Sequence, residues 1–185
     1  MHLNNKNRNS SLISAEEESD FISQAKAGNQ QAFRKLYESH VDALFAFMSQ
    51  FSDNREQVRE WTQRSFIKAF DKLDSFKAAS RFKSWLYTIA LNEMRMDMRN
   101  NIDFEEFEPQ KFGDNHDPDT EVPNNWTETK DAIKELDPDK KIVFLLHIAE
   151  EYSHREIGSM LQISEGTSRV ILHRAKKKLR QILEL

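Results

Sequence analysis

The stretch YSHREIGSMLQISEGTSRVILHRAKKKL, Tyr152 to Leu179, decides the fold of the C-terminal third of the chain. Ser153 followed three residues later by Glu156 is a capping box, in which hydroxyl and carboxylate satisfy exposed amides at a helix start. Ile157 and Leu161 fall on one face of the short helix that follows, which ends at Leu161 or Gln162. Gly158 marks a point where helices cross closely and a Cβ would clash. Ser164 caps a second helix, leaving a three- or four-residue turn. That helix carries Val170, Ile171, Leu172, Ala175, Leu179 and Ile182 as its apolar residues, with Arg169, His173, Arg174, Lys176, Lys177 and Lys178 on the remaining surface. A basic amphipathic helix by itself is commonly a solvated face. Joined to a short turn, two caps and a small residue it is a helix–turn–helix, and DNA is its expected ligand. The N-terminal part of the second helix would read base edges in the major groove, and later cations would meet phosphates.

The rest of the chain is at odds with a simple DNA-binding protein. Its 185 residues carry a formal charge of −4. The charge is uneven. Residues 154–180 hold seven bases and two acids, whereas 101–125 hold one base and eight acids. Local fields, not the net charge, therefore set the partners. The chain has four Gly, four Pro and no Cys, which favours long helices and excludes disulfides and thiolate metal sites. No apolar run approaches the roughly 20 residues that span a bilayer. The first residues lack the layout of a signal peptide, so no direct membrane insertion is expected.

Apolar spacing predicts an all-α protein of two small helical domains. Residues 1–14 form a polar tail. Residues 15–100 form a four-helix domain, and 101–125, with three of the four prolines, an acidic flexible linker. Residues 126–185 form the helix–turn–helix domain. In the first domain one helix stops at Gly28 and Asn29 caps the next, which turns Phe33, Leu36, Tyr37, Val41, Leu44, Phe45 and Met48 inward. A third helix begins near Asn54, with Val58, Trp61, Phe66, Phe70 and Leu73 inward, and a fourth near Arg81, with Phe82, Trp85, Leu86, Ile89 and Ala90. Asp74 to Ser80 breaks the pattern between them. In the second domain Asp137 caps a helix with Pro138 at its first position.

The motifs together resemble one family. The C-terminal stretch is similar to the pattern Y-S-x-x-E-I-A-x-x-L-G-I-S-x-G-T-V-x-S-x-L-x-R-A of the extracytoplasmic-function (group 4) sigma factors, a branch of the sigma-70 family. REWTQRSFIKAF, residues 59–70, is similar to the family's acidic-Leu-x-Gln-acidic-x-Phe helix, and SRFKSWLYTIALNEMRMDMRN, residues 80–100, to its S-x-F-x-x-W-L-x-x-I-A-x-N stretch. The chain departs at Gln162, where the pattern has Gly, at Gly158 for Ala, at Val170 for a small polar residue, and at Arg59 and Arg64, where acids are usual. Gln162 in the turn is expected to take a positive φ.

The resemblance implies a specificity subunit and not an enzyme, working in the bacterial cytoplasm without cofactor, metal or small-molecule substrate. Its partners would be core RNA polymerase, through the clamp and flap regions, promoter DNA, and an anti-sigma factor that holds it inactive. The first four helices would be sigma domain 2 and the last ones sigma domain 4. Glu60, Gln63 and Arg64 align with the polymerase contact. The loop before the fourth helix, with Phe76, Lys77, Ala78, Ala79 and Ser80, aligns with the pocket for an unstacked base of the −10 element. Asn92, Arg95 and Arg99 would contact the adjoining DNA. Arg169, Val170, His173 and Arg174 align with the positions that read the −35 element, while Thr167, Ser168 and Lys177 would contact backbone. Trp85 is expected to belong to the core rather than to wedge strands apart.

Other functions find less support in the residues. Asp114, His116, Asp117 and Asp119 lack the spacing that fixes metal ligands. His147 and His154 lie seven apart across a helix break, and neither has an adjacent nucleophile or carboxylate dyad arranged for catalysis. A stand-alone helix–turn–helix regulator would not need the 59–70 helix. A sigma mimic that sequesters an anti-sigma protein would not need Arg169 and Arg174.

Overall fold

The computed structural model describes residues 13–77, 81–99 and 131–183. The described residues are helical or in turns, with no strand. The chain divides into two compact units, Met1–Asp103 and Phe104–Leu185.

In the first unit α1 spans Ala15–Lys26, α2 Gln30–Met48, α3 Arg55–Asp71 and α4 Phe82–Arg99, with a short 3₁₀ turn at Leu73–Ser75. Each of the first three begins at a side-chain cap. Ser14 and Glu17 form a capping box, and the Asn29 and Asn54 carboxamides each accept two backbone amides of the following turn. The helices pack in sequence order, α1 on α2, α2 on α3 and α3 on α4. Leu36, Leu44, Met48, Trp61, Phe82, Leu86 and Met94 fill the core. The seam between α3 and α4 is antiparallel, because Lys68 pairs with Glu93 late in α3 while Trp61 and Gln57 reach Asp97 early in it. α1 buries no residue fully. Polar links hold it instead: Glu18 to His40 of α2 at 2.8 Å, and the Lys26 ammonium to the Phe76 carbonyl at 2.8 Å.

Spacing misplaces a few core positions. Phe33 and Val41 are half-buried and Tyr37 is 40 % exposed, because α3 covers only part of that face of α2.

In the second unit residues 131–134 are helical and precede α5, Pro138–Phe144. Pro138 takes the first position as expected. The Asp137 carboxylate does not cap the backbone. It bonds the Lys140 ammonium instead, and that bond holds the carboxyl below its usual range. A π turn, Leu145–Ala149, follows and was not legible in the spacing. α6 spans His154–Leu161 and α7 Glu165–Ile182. α5 and α6 both pack on α7, burying Ile142, Val143, Ile157, Ala175 and Leu179.

The turn between α6 and α7 is tightly specified. Ser153 and Glu156 form the predicted capping box, Ser164 accepts the Thr167 amide at 2.9 Å, and Gln162 sits at φ 59°, in the left-handed region. Gly158 is needed for a different reason from the one anticipated. A Cβ there would lie 2.7 Å from the carbonyl oxygen of Ile163, in the turn itself, not against a crossing helix. The Ile163 amide in turn donates to the Gly158 carbonyl at 2.9 Å.

Behind this turn the imidazoles of His147 and His154 stack, with centroids 4.4 Å apart and planes 17° apart. His147 Nδ1 bonds the Tyr152 carbonyl and His154 Nδ1 bonds Ser168 Oγ at 2.9 Å. Burial, and then the nearby charges of His147 and Arg169, pushes His154 from its ordinary 6.5 down to about 4.

Two outcomes follow for the second unit. Glycine tolerates left-handed backbone that costs other residues roughly 1 kcal/mol, so Gln162→Gly is expected to raise the denaturant midpoint of the purified chain; a lowered midpoint would refute the strain. The folded state keeps His154 neutral, so between pH 6.5 and about 4 the unfolded chain binds the extra proton. The stability due to this group is complete above pH 6.5 and is lost as the pH falls through that window. His154→Asn should therefore show a shallower loss of midpoint than the wild type between pH 7.5 and pH 5.

Candidate nucleic-acid interface

α7 owes its two faces to its register. Ser168, Ile171, Leu172, Ala175 and Leu179 are buried at three- and four-residue spacing. Arg169, His173, Arg174, Lys177 and Lys178 are exposed on the opposite side. The stripe runs over more than two turns, and its first cation, Arg169, lies close to the helix N-terminus, whose unpaired amides also favour anions. Arg169 bonds Glu165, one turn earlier. Both side chains are about half exposed, so the pair contributes little stability and is readily exchanged for a phosphate or a base edge.

Three of the anticipated contact residues on α7 are less free. Ser168 is fully buried and its hydroxyl is engaged by His154, so it fixes α7 against α6 and does not face a ligand. Thr167 is half-buried, with its hydroxyl 2.8 Å from the Ser164 oxygen. Val170 is half-buried beside the exposed Arg169. The proximity of His154 to Ser168 could be mistaken for a nucleophile and its base. The buried hydroxyl has no path to a substrate.

In the first unit the loop after the 3₁₀ turn starts at Phe76, and here too expectation needs correction. Phe76 is 5 % exposed, packed against Phe82 at 5.7 Å and Trp85 at 5.2 Å between ring centroids. The Lys26 ammonium lies 5.9 Å from its ring. Phe76 therefore anchors the loop and is no stacking platform, because its faces are already occupied. Trp85 is half-buried in the same aromatic group. Lys77 is exposed, while Ala78, Ala79 and Ser80 lie outside the described residues. On α4, Asn92 is exposed and Arg95 half-buried; the backbone of Arg99 closes the helix, and its side chain lies outside the described set. Asp114, His116, Asp117 and Asp119 also lie outside it.

Glu60, Gln63 and Arg64 are exposed on α3. Arg64 bonds Glu60 at 3.1 Å and comes within 3.9 Å of Asp97, while Arg59 pairs with Glu56. The two arginines that replace acids in the motif are thus each neutralised by an acid on the same helix. Gln63 also borders a groove of about 410 Å³ between α2 and α3, floored by Phe66 and Phe70 and edged by Tyr37 and Ile67. Ile67 is 53 % exposed. A sequence signal for it existed: a large aliphatic residue directly after Phe66, off the inward register of α3.

Comparison with known proteins identifies the family. Residues 36–101 match the family described as Sigma-70 region 2, and residues 127–179 match Sigma-70, region 4; together the matches cover well over half of the chain. The chain is 28 % identical over 159 residues to the RNA polymerase sigma factor CarQ of Myxococcus xanthus, covering 84 % of this chain and 91 % of that protein. It is 28 % identical over 182 residues to the ECF RNA polymerase sigma factor SigW of Bacillus subtilis, covering 88 % and 94 %. Among solved structures, CnrH in complex with the cytosolic domain of CnrY is similar in fold, with a TM-score of 0.67 and 24 % identity over 91 % of this chain and 97 % of that one. The sigma factor RpoE of Bartonella quintana, solved with the anti-sigma factor NepR, gives 0.63 and 23 % over 83 % and 97 %. With regions 2 and 4 both present and in order, the chain belongs to the sigma-70 family, within its extracytoplasmic-function group.

Proposed function

We propose that this chain is an alternative sigma factor that docks on core RNA polymerase through α3 and directs it to promoters by contacts at two elements. The observation that carries this reading is the presence of region 2 and region 4 in one chain. A stand-alone regulator needs a helix–turn–helix but has no use for the docking helix. A sequestering mimic has no use for the exposed Arg169, His173, Arg174 and Lys177.

In this reading Arg169, Val170, His173 and Arg174 read the −35 element from the major groove, and Lys177 neutralises phosphate. Lys77, Asn92 and Arg95 approach the −10 element, and the resemblance assigns Ala78, Ala79, Ser80 and Arg99, which lie outside the described side chains, to the same element. Glu60, Gln63 and Arg64, with the neighbouring apolar groove, meet polymerase. The protein supplies specificity and carries out no chemistry of its own. Working boundaries are 15–100 for the first domain, 101–125 for the acidic linker and 126–185 for the second. An anti-sigma factor that covers the docking face is the expected inhibitor, as CnrY and NepR are partners of the related proteins. The site of action is the bacterial cytoplasm; no described helix is long and apolar enough to cross a membrane.

The acidic 101–125 stretch opposes binding of free protein to DNA by long-range repulsion. Holoenzyme is therefore expected to bind promoter fragments far more tightly than the free chain in gel-shift titrations. Equal affinities would overturn the reading. In the holoenzyme, Arg174→Ala should weaken promoter binding by about 5- to 150-fold, the equivalent of roughly 1–3 kcal/mol for a bidentate base contact. Lys177→Ala should instead weaken all sequences alike and lower the slope of log K against log salt by about one.

A further inference from the structure

Asp97 occupies a position that local rules disfavour. It stands in the last turn of α4, at the negative end of the helix dipole, where an acid is repelled. Its side chain is 26 % exposed, so water compensates only in part. Donors on α3 make up the difference. The Trp61 indole N–H donates to Asp97 Oδ2 at 2.9 Å, and the Gln57 amide donates to the same oxygen at 3.1 Å. The Arg64 guanidinium lies 3.9 Å from Oδ1. Gln57 is itself oriented, since its carbonyl accepts from Ser52 Oγ at 2.8 Å and Ser52 Oγ accepts the Asn54 amide at 3.1 Å, at the start of α3.

Two of these donors are where the chain leaves its family's pattern. Trp61 stands at the Leu position of the motif and Arg64 at the second acidic one. An indole that is 1 % exposed must find an acceptor, and the acceptor it finds is on α4. Both departures therefore converge on one carboxylate, flanked in sequence by Arg95 and Arg99.

We infer that Asp97 is a positioning residue that ties the end of the DNA-facing helix α4 to the polymerase-docking helix α3, so that docking fixes where Arg95 meets the strand. This rests on the sigma-factor reading. The second clasp of the seam, Lys68 with Glu93, lies one turn earlier on α4 and farther from the helix end. Its loss weakens the seam without releasing that end. Errors of about an ångström in placing reactive or recognition groups cost up to roughly 100-fold. The consequence belongs to promoter opening and not to polymerase affinity.

The test uses holoenzyme assembled from core polymerase and full-length chain. The template is the fragment of sheared chromosomal DNA that gives the strongest run-off product with the wild type. Core affinity is measured by fluorescence anisotropy, and opening by permanganate reactivity at saturating holoenzyme. Asp97→Leu and Trp61→Phe are expected to bind core within about twofold of wild type and to open the fragment about tenfold less. Asp97→Asn, whose carboxamide oxygen still accepts from Trp61, should recover most of the opening. Glu93→Gln serves as the stability control: it should lower the unfolding midpoint yet open DNA normally. The inference is overturned if Asp97→Leu and Trp61→Phe open DNA like the wild type, if they lose core affinity in proportion to opening, or if Glu93→Gln impairs opening equally. Should the wild type itself fail to bind core, the sigma-factor reading fails first, and the inference with it.

Discussion

Exposed amides at helix starts must be satisfied, and in this chain that requirement sets where five of the described helices begin, α1, α2, α3, α6 and α7. Ser14, Asn29, Asn54, Ser153 and Ser164 each supply a side-chain acceptor at the head of a helix, worth about 1 kcal/mol apiece. With only four glycines and four prolines, the chain has few other means of punctuation. The caps divide it into helices whose apolar stripes then find one another. They also set function, because the Ser164 cap fixes the register of α7, and that register decides which cations face outward.

The turn before α7 shows how closely the parts depend on each other. Gln162 takes left-handed backbone, Ile163 folds its amide back onto Gly158, and no side chain fits at 158. His154, stacked on His147, then binds Ser168 and holds the second helix against the first. The face we propose for DNA is thus the outer face of a helix clamped from behind by polar contacts. In the first unit the same logic applies to the α3–α4 seam, where the Lys68–Glu93 ion pair and the Trp61 indole bind the two helices together.

Much of this was legible in the sequence. The helices of the first unit, the Ser153 box and the Asn29 and Ser164 caps follow from spacing and from the short-range chemistry of Ser and Asn, and the left-handed Gln162 from the resemblance, which has Gly at that position. What sequence did not reveal depends on tertiary neighbours. The resemblance placed Phe76 in the loop that would hold an unstacked base, but Phe82 and Trp85 enclose its ring. Ser168 looked like a helix-start hydroxyl free for phosphate, but His154, fourteen residues earlier, claims it. The Asp137 carboxylate turned to Lys140 instead of the backbone, and the π turn after α5 has no periodic signature. Asp97 went unnoticed because its partners lie 36 and 40 residues away, beyond the reach of any local pattern.

The central claim is that this fold acts by redirecting a polymerase. Run-off transcription from sheared chromosomal DNA tests it most directly, with purified core polymerase in the presence or absence of the chain. Discrete transcripts with defined 5′ ends that require the chain are the predicted result. A chain that associates with core yet yields the same diffuse background as core alone would contradict the account.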